Sequence, residues 1–192
     1  KHMRKFFNKL LGLVCGFAIC ILLTGKTYSQ CMTYPIDIQD RITGSQVIIE
    51  GRIISQVPFW NSNMDFIYTS NILEVYKVFK GGITTNQVEI ITEGGTIGNY
   101  FIKAEPALEF RLNDVGVFFG IPASQLNNNS PFAATHQFEG LASNQSFIRY
   151  DLTSFEAVDP FNVFNDIVVD IYQYFTSVTG QSYTEVIPFT LA

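Results

Sequence analysis

The sequence FIYTSNILEVYKVF, residues 66–79, decides the fold class because apolar and polar side chains alternate over its second half. The two kinds of side chain fall on or near opposite faces, with Leu73, Val75 and Phe79 against Glu74 and Lys77. A period of two in a run rich in β-branched and aromatic residues is typical of a half-buried strand. The Lys-Gly-Gly sequence at 80–82 then predicts a turn.

Further strands are predicted on both sides of this run. The clearest are VIIEGRII at 47–54, VEIIT at 88–92 and VGVFFGI at 115–121. Residues 145–152 predict another strand, and residues 100–102 and 108–110 are shorter candidates. Gly116 inside a strand indicates a bulge or bend, which small barrels use to turn a corner. The pattern therefore predicts a mainly β protein, with an OB-fold-like barrel of about five strands over residues 30–122.

The C-terminal part of the chain predicts a loop and then a helix. Residues 123–144 are predicted as a loop region, because they open with the polar, low-complexity sequence ASQLNNNSP. Residues 160–179 predict one amphipathic helix packed on the barrel, with Asp159 as N-cap and Gly180 as its left-handed end. Its expected buried face comprises Phe161, Phe164, Ile167, Val168, Ile171 and Phe175. With a final strand predicted in 181–192, residues 145–192 form a strand–helix–strand extension of the same domain.

The first residues predict export. Residues 1–29 combine a basic start, an apolar run of fourteen residues at 10–23 and a polar end, which is typical of a secretory signal peptide. The apolar run is shorter than the roughly twenty residues that a membrane-spanning helix needs. We therefore expect a secreted or cell-surface protein that begins Gln30-Cys31 and has no transmembrane segment after cleavage. A lipid anchor on Cys31 is the alternative, disfavoured because Gln30 stands where lipoprotein processing prefers a small residue.

The charge and cysteine content exclude several classes. The chain has a net charge of −5, and removal of residues 1–29 leaves seven Lys and Arg against seventeen Asp and Glu, a net charge of −10. Nucleic acid and anionic membranes need basic surfaces, so neither is expected as a partner. Cys31 is then the one remaining cysteine, so no internal disulfide is expected.

No residue pattern predicts catalysis, a metal or a cofactor. The mature chain has one histidine, His136, far from Cys31 in sequence and in no metal-binding motif. Nucleophilic catalysis would need an oriented base, and no G-x-S-x-G sequence is present. Glu89 and Glu93 could share a strand face as paired carboxylates, but they would lie about 13 Å apart. A solvated strand face is the better interpretation, and the chain is predicted not to be an enzyme.

Phe59 and Trp60 are the candidate ligand-binding residues. They follow Pro58 and precede the Asn-Ser-Asn sequence at 61–63, which predicts a loop after the first strand. Aromatic residues at a loop tip are favoured interface anchors, and the loop between strands one and two of OB-folds binds ligands. The alternative, which the sequence favours, is that Trp60 plugs one end of the barrel.

The order of strands and the sequence VYKVFKGG at 75–82 resemble the netrin-like OB-fold of tissue inhibitors of metalloproteinases, over about residues 31–122. In that family the N-terminal cysteine chelates the catalytic zinc through its amine and carbonyl. The resemblance implies this role for Cys31, although Gln30 precedes it and partner cysteines are missing.

The mature chain also resembles the N-terminal region of large bacterial surface proteins exported through type IX secretion, some of which carry a metallopeptidase domain. The matching sequences are SQVPFWN at 55–61, IYTSNILEVYKVFKG at 67–81, VEIITEGG at 88–95 and DPFN at 159–162. This resemblance implies an accessory module of a larger secreted protein.

The expected function is an exported, non-enzymatic module that binds a protein or glycan at the cell surface. Phe59, Trp60 and Cys31 are the candidate contact residues. The alternative is an inhibitory or regulatory segment that acts on a secreted zinc metallopeptidase.

Overall fold

Strands dominate the computed structural model, which describes residues 33–123, 129–132 and 136–191. The strands are β1 (Val47–Trp60), β2 (Ile67–Lys80), β3 (Gln87–Glu93), β4 (Gly95–Ile97), β5 (Tyr100–Ile102), β6 (Val115–Pro122), β7 (Gln137–Gly140), β8 (Phe147–Asp151), β9 (Glu156–Val158), β10 (Val163–Phe164) and β11 (Thr184–Glu185). The helical elements are α1 (Ile38–Gly44), a 3₁₀ turn (Ser143–Ser146), a π-helical segment (Ile167–Gln173) and α2 (Tyr174–Thr179). The predicted signal peptide and Cys31 lie outside the described residues.

The predicted mainly β class with a C-terminal helix is confirmed, but the number of strands is wrong. The main sheet has nine strands rather than about five, and β4 and β5 form a separate two-stranded sheet. Strand β7 lies inside the segment 123–144 that was predicted to be a loop. Residues 108–110 form no strand, and the predicted final strand is reduced to β11. Strands of two to four residues are too short to show a period in the sequence.

Strand β1 is hydrogen-bonded along both of its edges. It pairs with β2 over most of its length and with β6 over Val47–Arg52. The pairings therefore run β1-β2-β3-β7-β6 and return to β1. Only the β3–β7 pair in this circuit is parallel. Strands β8, β9 and β10 continue the sheet outward from β6, and β11 pairs with β2.

Two apolar cores lie on opposite faces of this sheet. Ile49 and Phe118 belong to the first core, whereas their chain neighbours Ile48 and Phe119 belong to the second. Consecutive strand residues point to opposite faces, so β1 and β6 bury both. The second core is covered by the C-terminal helical segment, through Ile167, Ile171 and Phe175.

The C-terminal helix begins later than predicted. Asp159 does not cap a helix, because its carboxylate accepts hydrogen bonds from the backbone N–H groups of Phe161 and Asn162 and pairs with Arg41 at 2.7 Å. Residues 163–164 instead form strand β10. Asp166 is the N-cap of the π-helical segment. Its carboxylate accepts hydrogen bonds from the backbone N–H groups of Val168 and Val169. The predicted end is confirmed, since Gly180 adopts a left-handed φ of 69°.

Gly51 and Gly116 face each other where β1 and β6 pair. A Cβ atom at Gly51 would lie 2.2 Å from the carbonyl oxygen of Glu74, and one at Gly116 would lie 2.1 Å from that of Ile148. Real Cβ atoms do not approach a carbonyl oxygen so closely. The two glycines therefore permit a close approach between backbones of neighbouring strands.

A fully buried ion pair connects β1, β2 and the C-terminal segment. Lys77 Nζ lies 2.7 Å from Glu50 Oε1 and donates to the carbonyl oxygen of Phe189 at 3.0 Å. The hydroxyl groups of Tyr150 and Tyr172 both donate to Glu50 Oε2. Burial and the adjacent Glu50 carboxylate raise the pKa of both tyrosines, which keeps them as donors. Every charge of this cluster thus has a partner.

None of the helices in the described segments is both long and apolar enough to cross a membrane.

Candidate functional site

The structure corrects the predicted position of the two aromatic candidates. Strand β1 extends to Trp60, so Phe59 and Trp60 end a strand rather than occupy a loop. Phe59 is buried and packs on Tyr68 with ring centroids 6.1 Å apart. It is therefore a structural residue of the β1–β2 hairpin. Trp60 is half-buried and belongs to neither core, in contrast to the predicted plug.

The turn between β1 and β2 is held by Asn61. Its Oδ1 accepts hydrogen bonds from the backbone N–H groups of Asp65 at 3.0 Å and Phe66 at 3.2 Å. Its carbonyl oxygen accepts another from Met64 N–H. Met64 projects from this turn with 70% of its surface exposed. An ordered turn can present such a side chain without a further ordering cost.

The β4–β5 hairpin adds two exposed rings beside this turn. Tyr100 and Phe101 are 66% and 68% exposed, and the Tyr100 ring meets Trp60 edge-on at 5.4 Å. The hairpin is attached to β2 by the hydrogen bond from Thr69 Oγ1 to Gly94 O, at 2.7 Å. We call the group Trp60, Met64, Tyr100 and Phe101, carried by the end of β1, the β1–β2 turn and strand β5, the aromatic end.

A groove adjoins the aromatic end. It contains a cavity of about 450 Å³, lined by residues that include Tyr68, Ile91, Glu93, Leu108, Glu139 and Ser143. A second cavity of about 430 Å³ shares Glu93 and Leu108 with the first and reaches Phe101. Both volumes lie in the range of known ligand sites. The groove therefore runs from Glu93 and Glu139 to the exposed ring of Phe101.

The first cavity of the groove contains the carboxylates of Glu93 and Glu139, and the second contains Lys103 as well as Glu93 and Glu109. Burial and the neighbouring Glu93 carboxylate raise the pKa of Glu139. Burial raises the pKa of Tyr68, and the carboxylates of Glu93, Asp65 and Glu139 raise it further. Both shifts oppose the addition of negative charge. The groove thus favours a ligand that donates hydrogen bonds or carries positive charge.

Replacement of Glu139 by Gln is expected to raise stability slightly at neutral pH. A raised pKa means that folding favours the protonated carboxyl, so the ionised form costs stability above that pKa. The gain should shrink below about pH 4, where the wild-type carboxyl is protonated in both states. Urea unfolding of wild type and variant at both pH values measures the difference. A loss of stability at neutral pH would contradict this account.

Glu89 and Glu93, which the sequence suggested as a possible pair of carboxylates, lie in different surroundings. Glu89 is fully buried and accepts hydrogen bonds from the hydroxyls of Ser70 and Ser130 and from Gln137 Nε2 at 2.8 Å. Glu93 is exposed and lines the groove. The carboxylate that Glu93 meets there is Glu139, from a strand that the sequence did not predict.

His136, which was considered from the sequence as a metal ligand or base, does not line the groove. The His136 ring stacks on Phe138, with centroids 6.5 Å apart and planes 8° apart. Within the described ranges, no group of three or more His, Cys, Asp or Glu side chains could hold a metal ion. Cys31 lies outside those ranges, so its predicted role stays a prediction.

Tyr100, Phe101 and Glu139 are the site residues that sequence reasoning missed. Tyr100 and Phe101 stood in a weak strand candidate, and the glycine turn at 94–95 before it was the available signal. No family model matches this chain, and a search of curated proteins finds no match. The function is therefore argued from the geometry of the site.

Proposed function

We propose that the protein is an exported, non-enzymatic interaction module that binds a partner protein through the aromatic end and the groove. The observation that carries the proposal is the exposure of Met64 on an ordered turn and of Tyr100 and Phe101 on strand β5, with Phe101 lining one of two ligand-sized cavities. Aromatic residues and methionine are enriched where proteins bind each other.

The strand order supports the same proposal. We interpret the circuit β1-β2-β3-β7-β6 as an OB-like barrel, with β8 to β11 as additions to it. OB-folds bind ligands on the face of their second and third strands and on the loop between strands one and two. Here β2 and β3 contribute Tyr68, Ile91 and Glu93 to the groove, and the β1–β2 turn carries the exposed Met64.

A protein partner fits the site better than a glycan. Met64 and Phe101 have no polar atom able to hydrogen-bond a sugar hydroxyl, yet they are the most exposed side chains of the aromatic end. Glu93 and Glu139 offer acceptors for a Lys or Arg side chain of a partner. The predicted inhibition of a zinc metallopeptidase would place Cys31 or residues 59–60 in the cleft of the peptidase. Cys31 lies outside the described residues and Phe59 is buried, so no observation of this site favours it.

The test is selection of random short peptides displayed on phage against the purified chain, with a glycan array probed in parallel. We expect peptides that combine aromatic or aliphatic residues with Lys or Arg. Their affinity for a Tyr100→Ser/Phe101→Ser variant should fall about 30-fold, as for interface anchors. Tyr34→Ser, which removes another exposed ring, is the matched control and should bind like wild type.

Two results would overturn the proposal. Peptides that bind wild type and the Tyr100/Phe101 variant equally would place the interaction elsewhere. Glycans that bind wild type and not the variant would keep the site but replace the protein partner. Thermal unfolding of each variant checks that the fold is unchanged, as expected for exposed side chains.

A further inference from the structure

A second exposed surface lies at the open end of the main sheet. Among the residues that the structure describes, strand β10 ends the strand order and pairs with β9 alone. Val163 of β10 is 63% exposed, and it pairs with the exposed Val158 of β9. An edge strand offers backbone N–H and C=O groups to an added strand.

Apolar side chains surround this edge. We call the group Phe155, Val158, Phe161, Val163, Val168 and Val169 the edge patch, because each is exposed. The segments that contribute them are connected, since Ile167 N–H donates to Phe155 O at 3.2 Å and Asp159 N–H to Asn162 O at 3.0 Å. The sequence pattern assigned Phe161 and Val168 to a buried helix face. The structure leaves both exposed. Phe161 precedes the helical segment, which begins at Ile167, and within that segment Ile167 and Ile171 are buried while Val168 is not.

The charges around the edge patch indicate what can cover it. Residues 150–192 contain no Lys or Arg, and Asp151, Glu156, Asp166 and Asp170 belong to this segment. Arg149, which lies opposite Val158 on β8, is already paired with Asp114 at 2.7 Å. A second copy of the chain would bring the same acidic residues against them, and an anionic membrane would be repelled in the same way. A polypeptide with Lys or Arg flanking apolar residues has the complementary chemistry.

We propose that the edge patch is a docking site for an extended basic polypeptide, which adds to the sheet beside β10. Its backbone pairs with the free edge of β10, its apolar side chains contact Val163 and Phe155, and its basic side chains meet the acidic residues. Strand addition of this kind gains affinity from the backbone and specificity from alternate side chains. The site uses none of the residues of the aromatic end.

The test uses a synthetic peptide of alternating Val and Lys as probe, with an alternating Val and Glu peptide as its control. We expect the basic peptide to bind the full chain and the acidic peptide not to bind. Val163→Asp and, separately, Val158→Asp, two cross-strand partners on the same face, should each weaken binding of the basic peptide at least about tenfold. All affinities are measured in the Tyr100→Ser/Phe101→Ser background, so that binding at the aromatic end does not contribute. Binding should weaken with added salt, because the rim contacts are exposed charge pairs.

Three outcomes would overturn the proposal. Equal binding to wild type and both valine variants would show attraction to the overall negative charge alone. Absence of binding by the basic peptide would exclude strand addition at this edge. A concentration-dependent dimer that Val163→Asp dissociates would assign the edge patch to a second copy. Two separate valine variants keep the test decisive if one of them fails to fold.

Discussion

Replacement of Lys77 by Met is expected to destabilise the protein by about 3–5 kcal/mol, since removing one partner of a buried ion pair leaves the other charge uncompensated. Glu50 is fully buried and would keep its two tyrosine donors but lose its cation. Met also cannot donate to the carbonyl oxygen of Phe189, so the C-terminal segment loses a contact with β2. The free energy of unfolding in urea, measured at neutral pH, gives the effect.

Two further variants distinguish this cause from a loss of packing. Arg52→Met breaks the ion pair between Arg52 and Glu74, which lies near the Lys77–Glu50 pair on the same two strands. Because the Arg52 side chain is 43% exposed, this change should cost no more than about 1 kcal/mol of stability. Adding Glu50→Gln to Lys77→Met removes the uncompensated charge but keeps an acceptor for both tyrosines. The double variant should recover a large part of the loss. If its loss equals the sum of the two single losses, the residues are not coupled.

Replacement of Gly116 by Ala is expected to cost about 3 kcal/mol or more, at the upper end for overpacking. The added Cβ would overlap the carbonyl oxygen of Ile148, so β6 or β8 must shift where both are buried. The same argument applies to Gly51→Ala, whose Cβ would meet the carbonyl oxygen of Glu74. Thermal and urea unfolding of the variants measure the loss.

Gly82→Ala is the matched control for this effect. No atom lies within 4 Å of the Cβ position at Gly82, so the change should leave stability the same or raise it slightly. If Gly116→Ala proves as stable as Gly82→Ala, the close approach of β6 and β8 does not limit the residue at this position.

The long strands could be predicted from sequence because their pattern is local. Residues 47–54 and 66–79 combine β-branched residues with turns at their ends, and the structure places strands there. The start of the C-terminal helix could not be predicted in this way. Asp159 and Asp166 both offer an N-cap, and the difference lies in Arg41, a residue distant in sequence that pairs with Asp159.

The candidate site shows the same limit. Trp60 could be identified because Pro58 and an Asn-rich turn surround it, although the strand continues through it. The meeting of Glu93 and Glu139 could not be predicted, because it depends on the parallel pairing of β3 with β7. Nothing in the local sequence of either glutamate indicates that pairing.

The closed circuit of pairings also affects how the chain resists aggregation. The strands with the most β-branched residues, β1, β2 and β3, each have a partner strand on both edges along part of their length. Long apolar strands with a free edge are the usual starting points of amyloid-like assembly. Within the described part of the main sheet, the terminal strands β10 and β11 are each only two residues long. The sheet thus offers short terminal strands, rather than its long apolar ones, to a neighbouring molecule.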